Sequence, residues 1–149
     1  MSFDPNTFLN TTFEETNDTV SIPVPAGEYL AIADKVEIKP WSKKDGSASG
    51  IRLDIVWEIQ DENVKALLGR DVVKCNQQQM LDLTEAGNLD FGKGKNVGLG
   101  RIREALGLNV PGQPFAFPMI QGRLAKVAVS HRTYEGEIFA EIKKIAAAN

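Results

Sequence analysis

Cysteine and histidine are almost missing from this chain, which has one of each, Cys75 and His131. A single thiol excludes an internal disulfide and any site built from several cysteines. No His/Cys/Asp cluster has metal-ligand spacing, and Asp54 and Glu58 stand too far apart on a strand to share a metal. Cys75 has no evident partner and reads as inert. His131 shares a face with Ala125, Val127 and Val129, so it reads as a buried or rim histidine rather than a catalytic base. The expectation is a protein that is not an enzyme and needs no cofactor or metal. Long apolar runs are also missing: nothing approaches the roughly 20 residues of a membrane span. The N-terminus has neither a basic n-region nor an apolar h-region, so no signal peptide is expected. The expected compartment is cytoplasm.

Positive charge is missing from the first 34 residues, which hold Asp4, Glu14, Glu15, Asp18, Glu28 and Asp34 but no Lys or Arg. The balance reverses beyond residue 90. There Lys93, Lys95, Arg101, Arg103, Arg123, Lys126, Arg132, Lys143 and Lys144 face only Glu104, Glu135, Glu137 and Glu141. The net charge of -3 hides this asymmetry. An acidic arm on a basic half hints at a polyanion-binding body, although charge runs are most often solvated faces.

The run "GKGKNVGLGRIREALGLN", residues 92 to 109, invites a phosphate-loop reading. The spacing refuses it. A P-loop needs a second glycine five positions after the first, and Val97 and Leu99 stand there instead. The dinucleotide fingerprint needs a third glycine where this chain has Arg103. What remains is a flexible basic loop leading into a helix. Lys93 and Lys95 are candidates for neutralising phosphates of a polymer; the plain alternative is a solvated loop with two ordinary lysines.

Residues 1 to 26 are rich in Asn, Thr, Pro and acids, with Phe3, Phe8 and Phe13 at a spacing that suits neither helix nor strand. They are read as an irregular acidic arm, and residues 27 to 149 as one domain. "GEYLAIADKVEIKPW" alternates, with Leu30, Ile32, Val36 and Ile38 on one face and Tyr29, Lys35, Glu37, Lys39 and Trp41 on the other. After the loop "SKKDGSASG", "IRLDIVWEIQD" alternates with Ile51, Leu53, Ile55, Trp57 and Ile59 inside. "RDVVKCNQQQML" reads as a third strand. "NVGLGRIREALGL" is a helix with Asn96 as N-cap, Leu99, Ile102 and Leu106 on one face, and a stop at Gly107 or Asn109. The Pro-rich "VPGQPFAFP" carries Phe115 and Phe117, expected to seal one end of the core. "GRLAKVAVSHRTYEGEIFAEIKKI" is a final hairpin, with Ala125, Val127, Val129, Ile138, Ala140 and Ile142 inside and Gly136 in the turn.

Three strands, a helix and two strands is the order of the OB-fold, a five-stranded Greek-key barrel plugged by its helix. Other small β folds share the count. OB barrels bind oligonucleotides or oligosaccharides over strands two and three and the loops between strands one and two and strands four and five. Here each of those loops sets an aromatic beside basic residues: Trp41 with Lys43 and Lys44, Tyr134 with Arg132. Sequence-tolerant single-strand binding needs a positive groove and aromatic platforms. The candidate nucleic-acid-binding residues are therefore Trp41, Lys43, Lys44, Arg52, Lys74, Lys93, Lys95, Lys126, Arg132 and Tyr134. Each aromatic has a plainer alternative: Trp41 packed on the arm, Tyr134 merely exposed at a hairpin tip. Arg52 and Lys74 face outward only if the register holds, since a slip of one residue reverses it.

The opening "MSFDPNTFLNTTFEE", the strand entry "PVPAGEY", "KNVGLGRIREALGLN" and "PGQPFAFPM" together resemble a family of phage-encoded single-stranded DNA-binding proteins of tailed phages. The resemblance implies an OB-fold and single-stranded DNA as partner in phage replication or recombination. It further implies replication proteins such as a polymerase or helicase as possible partners, in the cytoplasm of an infected bacterial host. It fixes no stacking residue, so the site residues rest on the chain itself. The competing class is a phage structural or adaptor protein on the same small β scaffold.

Overall fold

The longest strand, β1 (Gly27–Ser42), is the axis of the fold. In the computed structural model, which describes residues 4–19 and 21–148, it pairs antiparallel with both β2 (Ser49–Ile59) and β4 (Leu124–Tyr134). β3 (Lys74–Leu81) adds to β2 and β5 (Glu137–Ala147) to β4. The result is one five-stranded sheet in the order β3-β2-β1-β4-β5. The helices are short: α1 (Pro5–Leu9) in the arm, α2 (Glu62–Leu68) between β2 and β3, and α3 (Val97–Ala105) between β3 and β4. A 3-10 turn at Phe117–Ile120 precedes β4.

The expected closed barrel is not what forms. The sheet curls until the parallel edge strands β3 and β5 come within 8 Å between Cα atoms, yet no ladder joins them. Other groups occupy the seam. Near its start Pro23 and Val24 lie beside Cys75 and Ala140. Farther along, the side chains of Gln77 and Gln79 lie between β3, α3 and β5.

The core lies on the concave face. Leu53, Ile55, Trp57 and Ile59 of β2 are all no more than 1 % exposed. Each such side chain contributes roughly 1.5 to 3 kcal/mol by leaving water. Leu99, Ile102 and Leu106 close over them from α3 and its cap, and Ile120 from the 3-10 turn. Phe115 and Phe117 meet edge to face at 5.4 Å and pack on the rim of this core, with the Arg103 guanidinium 4.3 Å from the Phe115 ring.

Two bulges reset which residues face inward. In β1 the register shifts between Ala33 and Lys35, leaving Asp34 unpaired. Before the bulge Tyr29, Ala31 and Ala33 face the core; after it Val36 does. Leu30 and Ile32, expected inside, therefore stand on the outer face, and Leu30 is 40 % exposed. The second bulge, in β5 at Lys143, lets Ile142 and Ile145 both turn inward, while Ile138 is exposed rather than buried. The β4–β5 hairpin turns through Glu135 and Gly136, both at positive φ (51° and 81°). That is the two-residue turn whose twist suits a hairpin.

Candidate nucleic-acid interface

The outer face of β1 to β3 is built by alternation. Lys35, Glu37, Lys39 and Trp41 of β1 pair across to Val56, Asp54, Arg52 and Gly50 of β2. β3 adds Lys74, Asn76, Gln78 and Met80 to the same face. Three of the sequence candidates, Trp41, Arg52 and Lys74, thus share one surface.

Trp41 lies against Gly50. A Cβ on Gly50 would fall 2.8 Å from the indole Nε1, so only glycine lets the ring settle there. The ring stays partly exposed, but its Nε1 is buried with no acceptor among the described residues. Such a donor is costly where it stands. The indole lies against its own hairpin at Gly50. At the hairpin tip, Lys43 N–H donates to Ala48 O at 2.9 Å and Gly46 N–H to Lys43 O at 3.0 Å. Hydrogen bonds from Ser47 hold the Asp45 carboxyl below the usual carboxylate range, so Asp45 offsets part of the charge of Lys43 and Lys44.

The middle of the face is charge-compensated. Glu37 pairs with Lys35 at 2.6 Å and Lys39 at 3.1 Å, and Asp54 pairs with Arg52 at 2.9 Å and Lys39 at 3.7 Å. The two lysines lower the Glu37 carboxyl, and Glu37 raises Lys35. Lys74 pairs with Asp34, the bulge residue, at 3.0 Å. Arg132 pairs with Glu141 at 3.3 Å and lies 5.6 Å from the Phe139 ring. Among the described residues, Lys43, Lys44, Lys93, Lys95 and Lys126 have no such carboxylate partner.

Lys93 and Lys95 sit in the loop that follows β3. Asn96 closes this loop: its side chain accepts from Asp82 N–H at 2.8 Å and donates to Asp82 O and Asp90 O, both at 2.9 Å. Asn96 therefore does not cap α3 through its side chain, because φ of 51° turns that side chain toward Asp82. β3 ends opposite the start of β2, at Leu81 and Ile51, so these two lysines stand at the same end of the sheet as Trp41, Lys43 and Lys44. Lys126 and Arg132 lie on the outer face of β4, and Tyr134 is 57 % exposed beyond the opposite end of β1. The candidates therefore form two groups rather than one groove.

His131 is a rim residue that ties down the arm. Its Nε2 lies 2.7 Å from Val24 O, which requires a proton on that nitrogen. Val24 is 6 % exposed, whereas residues 4 to 19 are exposed throughout. Phe8 and Phe13 lie 6.1 Å apart in the exposed arm; Phe3 lies outside the described residues. Residues the sequence reading passed over are Gln77 and Gln79, whose signal was visible as amides on a core-facing strand position, and Lys143 and Lys144. No group of three or more His, Cys, Asp or Glu that could hold a metal occurs among the described residues, and none of their helices is long and apolar enough to cross a membrane. Compared with models of known protein families and with curated proteins, the chain matches none.

Proposed function

We propose that the chain is a sequence-tolerant single-stranded DNA-binding protein that acts in phage DNA replication or recombination, on an OB-type Greek-key scaffold. Strand order and the position of α3 between β3 and β4 support the scaffold. The observation that carries the function is the β1–β2 hairpin end, where partly exposed Trp41 stands beside Lys43 and Lys44, which form no ion pair among the described residues, with Lys93 and Lys95 at the same end of the sheet. An aromatic face flanked by free cations is what a single strand needs for a base and its phosphates. Replication proteins such as a polymerase or helicase are partners this reading admits, and the cytoplasm of an infected bacterium is its setting.

Tryptophan fluorescence tests it. Trp57 is fully buried, so quenching by oligo-dT reports on Trp41. Strong, salt-sensitive quenching supports the reading. The compensated charges at the middle of the outer face favour a second one, a phage structural or adaptor protein, and an unquenched titration supports that instead. A gel shift comparing single-stranded DNA, duplex DNA and RNA separates the nucleic-acid classes.

A further inference from the structure

The open seam holds a cavity of about 620 Å³ between β3, α3 and the C-terminal half of β5. That size suits a small ligand, for which pockets run roughly 300 to 1,000 Å³. Its deepest polar group is Gln77, only 7 % exposed. The Oε1 of Gln77 accepts from Trp57 Nε1–H at 2.9 Å, which fixes the orientation of the amide. Its Nε2 has no acceptor among the described residues and is not itself sealed from solvent, and Gln77 lines the cavity, so an accessible N–H donor is presented to that space. A ligand that accepts from this donor gains a hydrogen bond held in a fixed orientation. On the same face of β3, Gln79 donates its Nε2 to Met80 O at 3.1 Å, which leaves Oε1 as an acceptor. Gly98 lies against this amide so closely that any Cβ would collide with it. Donor and acceptor thus stand two residues apart along the floor.

The walls and mouth differ from the floor. Ile102, Ala105 and Ile145 supply apolar sides. Arg101, Lys143 and Lys144 stand at the mouth, all exposed, against the single carboxylate of Glu104. None of the three cations has an ion-pair partner among the described residues. A flat ring with a donor and an acceptor on its edge, joined to an anion, matches floor, walls and mouth together. Nucleobase and phosphate are such a pair, and guanidinium and ammonium groups recognise phosphate.

We propose that this cleft binds a 5′-phosphorylated nucleotide, with the base edge on Gln77 and Gln79 and the phosphate at Arg101, Lys143 and Lys144. A free mononucleotide and the phosphorylated end of a strand share this chemistry. The site is separate from the Trp41 surface and does not depend on it.

The test follows the side-chain amide resonances of Gln77 and Gln79 and the indole resonance of Trp41 in the full chain. Four probes are titrated: thymidine 5′-monophosphate, inorganic phosphate, an oligo-dT with a 5′-phosphate and the same oligomer with a 5′-hydroxyl. The expected result is a saturable shift of the Gln77 amide with thymidine 5′-monophosphate. A shift with the phosphorylated oligomer as well identifies a strand end as a source, and its absence there identifies the free nucleotide. Replacing Arg101, Lys143 and Lys144 together by Gln should weaken binding about tenfold or more, as expected for lost charge-assisted contacts. These side chains are exposed, so the fold is expected to persist, which a melting curve verifies. Ala105→Leu, which narrows the slot without touching charge, should weaken the nucleotide but not inorganic phosphate. The proposal is overturned if no probe moves Gln77, if inorganic phosphate reproduces the whole effect, or if the 5′-hydroxyl oligomer shifts Gln77 as much as the phosphorylated one. A Trp41 shift without a Gln77 shift sinks this site and leaves the outer-face reading standing; the reverse does the opposite.

Discussion

Trp41 and Trp57 lie on adjacent strands and on opposite faces of the sheet, and their environments assign them opposite roles. Trp57 is 0 % exposed and its Nε1 is satisfied by Gln77. Trp57→Ala should cost about 3 to 5 kcal/mol of stability, the usual range for removing a large core aromatic, read in a denaturant titration. Trp41 rests on Gly50 with an unsatisfied Nε1, so little holds it except contact with its own hairpin. Trp41→Ala should leave the melting curve nearly unchanged and cost roughly 1 to 3 kcal/mol of single-strand binding. Exchanged results would show that the two faces are assigned the wrong way round. Gly50→Ala adds an independent check: its Cβ displaces the indole, so Trp41 emission should shift to the red without loss of fold. Cys75 makes a different prediction. Burial pushes its thiol from 9.0 up to about 11. The folded chain then keeps a proton that the unfolded chain releases, so stability is full below about pH 9 and falls as pH rises from 9 toward 11. Two units correspond to roughly 2 to 3 kcal/mol. Cys75→Ala lacks this loss, so the stability gap between wild type and variant should narrow across that window.

At the scale of elements, alternation made β2 and the second half of β1 legible, because one face of each is uniformly apolar or uniformly charged. It misassigned the first half of β1. A bulge is one extra residue with no compositional mark, and it reverses the face of everything on one side of it. Asp34 does this, which is why Ala31 and Ala33 are buried while Leu30 is not. The β5 bulge likewise hid Ile145, whereas Ile138 keeps the face of Ile142 and is exposed because it pairs with Thr133 near the hairpin turn, away from the core. The helix was legible from Leu99, Ile102 and Leu106, and Asn96 does stand at its N-cap, but its side chain makes no cap hydrogen bond and its positive φ is invisible in sequence. The arm divides in a testable way. Residues 21 to 25 are anchored through Val24 and His131, while residues 4 to 19 are exposed and acidic. Deleting residues 1 to 19 should leave the melting temperature almost unchanged, whereas extending the deletion through residue 25 should lower it. If the acidic segment competes with DNA for the basic surfaces, the shorter deletion also tightens single-strand binding, most at low salt where charges are least screened. Equal or weaker binding at low salt rules out competition.

For the whole molecule, the succession of strands and helix could be read from the chain, but closure could not, since it depends on β3 and β5, which are remote in sequence and carry no local signal of pairing. The same limit applies to charge. Composition shows a basic half, but not which cations already have partners. Arg52, Lys74 and Arg132 are engaged by Asp54, Asp34 and Glu141, whereas Lys43, Lys44, Lys93, Lys95 and Lys126 have no carboxylate partner among the described residues. Single-strand affinity should therefore fall steeply with salt, since each lysine that meets a phosphate adds about 0.7 to the slope of log K against log salt. An affinity unchanged between low and moderate salt would sink the nucleic-acid reading outright. The partners sharpen the expectation. Lys43→Gln with Lys44→Gln removes two cations that form no ion pair among the described residues and should reduce the slope by about 1.4. Arg52→Gln removes a cation whose charge Asp54 already balances, so it should leave the slope almost unchanged. If Arg52→Gln instead reduces the slope as much as a free lysine does, the Arg52–Asp54 pair opens when DNA arrives, and the compensated centre of the sheet is itself part of the binding path.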